Sequence, residues 1–126
     1  MKPRTVMIVD DDEDILLIAA LSASRIGNWR VVTAGTGMEA LDLAQRERPD
    51  LILLDAMMPV LDGYETCRRL KRESETKTIP VVLLTAKGRD VDKRLGYEVG
   101  AVDYIVKPFS PNRLIERIQE ILGCRK

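Results

Sequence analysis

The chain has 126 residues, of which 45% are hydrophobic and 32% charged, so a soluble globular domain with a real core is expected and a disordered segment is not. Its 20 Lys and Arg balance its 20 Asp and Glu, which argues against a general nucleic-acid or anionic-membrane binder. It contains no histidine, so carboxylates, hydroxyls and lysines are left to carry any chemistry.

The first apolar run, "TVMIV" (5–9), reads as a strand and leads straight into five acids, Asp10, Asp11, Asp12, Glu13 and Asp14. It is too short for a secretory signal, and no run approaches the roughly 20 apolar residues of a membrane span. Ile15, Leu16, Ile18, Ala19 and Ser22 then suit a helix with one buried face. "WRVVTA" (29–34) reads as a second strand, with Trp29 as packing, and "GMEALDLAQRE" as a helix with Met38, Leu41, Ala44 and Gln45 on one side. "LILLD" (51–55) is a third strand, followed by a turn at Asp62-Gly63 and a weaker stripe at Tyr64, Cys67 and Leu70. "PVVLLT" (80–85) is a fourth, followed by Val91, Leu95 and Val99 at helical spacing. Gly96 weakens that helix by about 1 kcal/mol relative to Ala, which suits an element of low local stability. "DYIV" (103–106) is the fifth strand. A last helix carries Leu114, Ile118, Ile121 and Leu122, with Ser110 as N-cap, Pro111 in the first turn and Gly123 at the end.

Five strands alternating with five helices imply a parallel sheet covered on both faces. In such open α/β sheets ligands sit beyond the carboxyl ends of the strands. Those ends carry Asp10-Asp11, Asp55 and Thr85, and Lys107-Pro108 follows the fifth strand. Three close carboxylates repel one another unless a cation compensates, and a hard divalent cation with oxygen ligands, Mg²⁺ above all, does so. Cation, lysine and hydroxyl together make a receptor for a tetrahedral dianion, and an aspartate at its centre points to phosphoryl transfer onto that aspartate. Asp12, Glu13 and Asp14 are better read as helix-capping acids than as ligands. "DDDED" also mimics the start of a calcium loop, but Ile15 stands where that loop needs Gly and Leu21 where it needs Glu.

"IVDDDED", "PDLILLDAMMPVLDGYE", "VVLLTAKG" and "GAVDYIVKPF", in order and at matching spacing, resemble the receiver domain of two-component response regulators over essentially the whole chain. The resemblance implies one receiver domain over 1–126, with a (βα)5 doubly wound five-stranded parallel sheet in the flavodoxin-like order 2-1-3-4-5. It implies that Asp55 accepts a phosphoryl group from a phosphohistidine on a sensor histidine kinase or a histidine phosphotransfer protein. Asp10, Asp11 and Asp55, with the backbone carbonyl of Met57, would hold Mg²⁺. Lys107 would neutralise the phosphoryl oxygens, and Thr85 would be drawn towards them. Tyr104 would follow as a switch, from exposed to buried. The Lys107-Pro108 peptide bond would be cis.

The resemblance further implies a signalling switch rather than a turnover enzyme, catalysing its own phosphorylation and slow dephosphorylation in the cytoplasm. Output would pass to a partner protein or to a C-terminal effector domain, or on through a phosphorelay, with no direct nucleic-acid or membrane contact. A homodimer on phosphorylation belongs to the same expectation. Cys67 and Cys124 form no metal or redox motif and read as free thiols of a reducing compartment. Met57 and Lys87, two residues beyond Asp55 and Thr85, occupy positions that tune water attack on the aspartyl phosphate in that family. A thioether orients water poorly, so slow self-dephosphorylation is expected. Two other readings are a phosphate-independent interaction module on the same fold and a phosphatase of the haloacid-dehalogenase type. The latter places its nucleophile on the first strand in a D-x-D-x-T/V pattern, which Asp14 breaks.

Overall fold

A computed structural model of the chain describes residues 4–86 and 90–123, without the side chains of 90–92. Lys87 and Cys124, and the side chain of Val91, lie outside the described residues. The order is β1(Thr5–Val9), α1(Glu13–Arg25), β2(Arg30–Ala34), α2(Gly37–Glu47), β3(Leu51–Asp55), α3(Gly63–Arg72), β4(Val81–Thr85), α4(Asp90–Glu98), β5(Asp103–Val106) and α5(Pro111–Gly123). The strands form one parallel sheet in the order β2-β1-β3-β4-β5. The five apolar runs are the five strands, with Trp29 and Pro80 just outside β2 and β4.

Every residue of β1, β3 and β4 is buried, as continuous apolar runs in a doubly covered sheet require. Strand alternation divides them between two cores. Val6, Ile8, Leu51, Leu53, Val82 and Leu84 face Ala19 and Ala23 of α1 and four apolar residues of α5. Met7, Val9, Ile52, Leu54, Val81 and Leu83 face α2, α3 and Val99 beyond α4. Trp29 packs at the edge of the first core.

Two helices seat themselves differently from the pattern read in the sequence. On α1 the buried residues are Ala19, Ser22 and Ala23, while Ile18 is half exposed beside exposed Leu17 and Leu21. On α2 they are Gly37, Ala40 and Ala44, with Met38 and Gln45 exposed and Leu41 partly buried. In both cases small residues let the helix axis come close to the sheet, and the longer side chains flank it. Cys67 and Leu70 on α3 and Leu114, Ile118 and Leu122 on α5 are buried as their stripes predict. Ser110 caps α5, its Oγ accepting from the Arg113 N–H at 3.2 Å.

Candidate functional site

The carboxyl ends of β1 and β3, which are adjacent in the sheet, carry Asp10 and Asp55. Asp10 is wholly buried, and its Oδ1 accepts from the Asp12 N–H at 3.0 Å. Asp12 in turn caps α1, accepting from the N–H groups of Asp14 and Ile15. The acid run therefore divides by function: Asp12 caps, and Glu13 and Asp14 lie in the first turn where the helix dipole favours them. Asp10 faces inward. Asp10, exposed Asp11 and buried Asp55 each offer an oxygen within 4.8 Å of the others.

Lys107 reaches this cluster from the residue after β5. Its Nζ donates to Asp10 Oδ2 at 2.7 Å and lies 3.2 Å from Asp55 Oδ1. Its own N–H donates to the Thr85 carbonyl at 2.7 Å, which fixes the residue against β4. The Lys107-Pro108 peptide bond is cis. Burial works against the lysine's charge, but the hydrogen bond and charge of Asp10, joined by Asp55, outweigh it and raise its pKa. Burial also pushes Asp55 up to about 7, and the charge of Asp10 adds to this; the Met57 N–H and Lys107 pull the other way without cancelling it. One lysine thus does not neutralise the cluster. A cation with oxygen ligands fits such a donor set.

The loop after β3 is shaped around Asp55. The Met57 N–H donates to Asp55 Oδ1 at 3.2 Å. Val60 has φ +68°, an unusual conformation for a β-branched residue, and the Leu61 N–H closes the bend on the Pro59 carbonyl at 2.8 Å. Asp62 then caps α3, accepting from the Glu65 N–H at 2.8 Å. Asp62-Gly63 is more than the turn expected from sequence. A Cβ on Gly63 would stand 2.1 Å from the Asp55 carbonyl oxygen, so glycine is needed to bring α3 against the end of β3. Gly63 is a positioning residue the sequence reading missed; its signal was a glycine opening a helix eight residues after the strand-end aspartate.

Thr85 is buried at the end of β4, next to β5. It lines a narrow cavity shared with Tyr64, Lys93, Tyr97 and Tyr104. Tyr104 is half buried; Lys93 Nζ sits 4.8 Å above its ring, and the Tyr97 ring meets it edge-on at 6.2 Å. The cavity runs from Thr85 at the end of β4 along α4 and β5, with Gly96 and Asp103 also in its lining.

A doubly wound parallel sheet in the order 2-1-3-4-5, with acids and a lysine converging at the carboxyl ends of its strands, places the chain in the flavodoxin-like class of α/β domains. The chain belongs to the response regulator receiver domain family, whose model matches residues 6–119. It is 47% identical over 119 residues to a probable transcriptional regulator of Cyanophora paradoxa, matching 94% of this chain and 48% of that one. The chain spans about half the length of the curated relatives it matches. Among solved structures it is similar to the Vibrio cholerae chemotaxis protein CheY4 (TM-score 0.90, 34% identity, 94% of this chain and 98% of that one). It is also similar to the receiver domain of the Pseudomonas aeruginosa sensor histidine kinase PA1611, solved with a magnesium ion in its active-site cleft (TM-score 0.87, 29% identity, 96% and 98%). No described helix is long and apolar enough to cross a membrane.

Proposed function

We propose that residues 1–126 act as one receiver domain, a cytoplasmic signalling switch that is phosphorylated on Asp55 by a histidine kinase or histidine phosphotransfer protein. The observation that carries this is the meeting of Asp10, Asp11 and Asp55 with Lys107, whose Nζ lies 2.7 Å from Asp10 and 3.2 Å from Asp55. An Asp55 carboxylate oxygen attacks the phosphorus of the partner's phosphohistidine. The new O–P bond forms as the P–N bond breaks, and the bonding pair returns to the imidazole nitrogen. Lys107 stands where a phosphoryl oxygen gains charge. Thr85, at the end of the adjacent strand, donates its hydroxyl to the same group. Asp10, Asp11 and Asp55, with the Met57 carbonyl, would hold Mg²⁺, which neutralises charge on the transferring group when bound.

The dianion then biases a two-state surface. Thr85 moves towards the phosphoryl group, the cavity beneath it changes, and Tyr104 turns further inward between α4 and β5. The face made by α4, β5 and α5 would bind its output partner, an effector domain or a second copy of the chain differently in the two states. The curated relatives it matches are described as transcriptional regulators, which supports an output domain elsewhere. The balanced charge of this chain supports the reading that any nucleic-acid contact would be made by such a domain and not by these residues. The partner that donates the phosphoryl group would use the apolar groove next to Lys107, lined by Ile15 and Ile18 of α1 with Pro108 and Phe109.

The test is intact mass after incubation with acetyl phosphate, with and without Mg²⁺, beside Asp55→Ala. A Mg²⁺-dependent gain of one phosphoryl group that the substitution abolishes is expected. A wild type that stays unlabelled under every condition would falsify the phosphoacceptor reading and leave a phosphate-independent binding module.

A further inference from the structure

The described methionines divide sharply by exposure. Met7 and Met58 are buried, at 0% and 7%, whereas Met57 is 63% and Met38 59% exposed. Of the two exposed ones, Met57 stands beside the chemistry, its N–H 3.2 Å from Asp55 Oδ1. Solvent reaches its side chain, and solvent is also where the water that hydrolyses an aspartyl phosphate must come from.

We propose that Met57 is a modification site for two-electron oxidants of the peroxide class, and that its sulfoxide shortens the life of a phosphoryl group on Asp55. This deepens the phosphoacceptor reading above and rests on it. In the oxidation a sulfur lone pair attacks one peroxide oxygen and the O–O bond breaks. Sulfur is oxidised by two electrons and keeps that oxygen, while the other leaves as water after proton transfer. The product carries a strong hydrogen-bond acceptor where the thioether was a weak one. That oxygen accepts a hydrogen bond from a water molecule and holds its lone pair towards phosphorus. Water oxygen bonds to phosphorus, the bond from phosphorus to the Asp55 oxygen breaks, the carboxylate is restored, and the water's proton leaves with inorganic phosphate. The modification is reversible by reduction of the sulfoxide.

The structure supplies its own controls. Met58 is the next residue but is packed in the core, and Met38 is as exposed but lies on α2. Protein treated with hydrogen peroxide is peptide-mapped for one-oxygen mass gains. Treated and untreated samples are then labelled with acetyl phosphate and Mg²⁺, the donor is removed, and loss of the phosphoryl group is followed by intact mass. Met57 and Met38 are expected to oxidise well ahead of Met7 and Met58. Label decay should quicken about tenfold on treatment, less than a full general base contributes. Each variant is compared with its own untreated sample: Met38→Leu should keep the acceleration and Met57→Leu should lose it. Met57→Gln, which places an amide oxygen at similar reach, should decay faster than wild type without any peroxide. Unchanged decay with Met57 fully oxidised, acceleration that survives Met57→Leu, or oxidation of Met57 no faster than of Met58 each overturns the inference. Failure of the untreated wild type to take up label overturns the phosphoacceptor reading and the inference together, and is told apart from the others because it precedes any peroxide.

Discussion

The helices α4 and α5 lie on either side of β5's end of the sheet, yet they are anchored very differently. α5 runs 13 residues and buries Leu114, Ile115, Ile118 and Leu122 against the strands and α1. Arg117 adds an ion pair to Asp103 of β5 at 3.1 Å. α4 runs 9 residues, and among its described side chains only Gly96 is buried; Leu95 and Tyr97 are exposed, and Val99 is buried just past its end. At roughly 25 cal/mol per Å² of apolar burial, the described side chains of α5 contribute several kcal/mol more than the described side chains of α4. Among the described residues, the element that borders the Thr85–Tyr104 cavity is the one with less packing to give up, which is what the proposed phosphorylation switch would require of its moving part.

The largest expected effect breaks this contrast at its strong end. Ile118 is fully buried, so Ile118→Ala removes its transfer energy and leaves a cavity, and should cost about 3 kcal/mol in urea unfolding. Leu95→Ala on α4, where the side chain is 37% exposed, should cost under about 1 kcal/mol. Equal losses at the two sites would mean that α4 is as firmly held as α5, and that a rigid-frame account of the α4 face is correct instead.

A smaller effect comes from the site itself. Burial raises the Asp55 pKa from 3.8 to about 7, with the charge of Asp10 adding to it. The native state therefore binds this proton more tightly than the unfolded chain does. Its contribution is fully present below about pH 4 and is lost as pH rises towards and through 7. In metal-free buffer the wild type should lose stability over that window relative to Asp55→Asn. The gap should settle near 2 kcal/mol above neutrality, discounted from the full shift because Asp11 leaves the site open to water. Mg²⁺ should restore much of the loss in the wild type and little in the variant, by binding only the native state. Urea melts at pH 4, 6 and 8 with and without Mg²⁺ decide it; parallel curves for the two proteins would mean that Asp55 is ionised throughout.

These contrasts were legible in the sequence to different depths. The strands were the clearest, because buried parallel strands are continuous apolar runs, and the rule that ligands gather at their carboxyl ends is what makes Asp10, Asp55 and Thr85 candidates. Asp12 as a cap was legible because an acid before an apolar helix has a specific backbone partner. The seating of α1 and α2 was not. Periodicity selects the largest apolar residues, whereas these helices are seated on Ala19, Ala23, Ala40 and Ala44, and leave Ile18 and Met38 outside. Val60 was invisible because nothing local marks a valine for a positive φ; the closure between Pro59 and Leu61 imposes it. Gly63 was read only as a turn because its role depends on the approach of α3 to β3, a contact between two elements that the sequence of neither reveals.

Gly96 tests the weak end of the contrast most finely. In sequence it reads as a helix weakener. In the structure a Cβ there would stand 2.9 Å from Leu83 Cδ1, so the glycine also lets α4 approach β4 closely. The two effects oppose each other. Alanine recovers about 1 kcal/mol of helix propensity. Against this, the Leu83 methyl must move by a few tenths of an ångström, and as the end of a flexible side chain it can do so for about half of that gain. Gly96→Ala should therefore raise stability by roughly 0.5 kcal/mol. It should also slow amide exchange in α4 while leaving α5 unchanged. A loss of 1 kcal/mol or more would mean that Leu83 cannot yield, and that close packing rather than flexibility is why a glycine stands there.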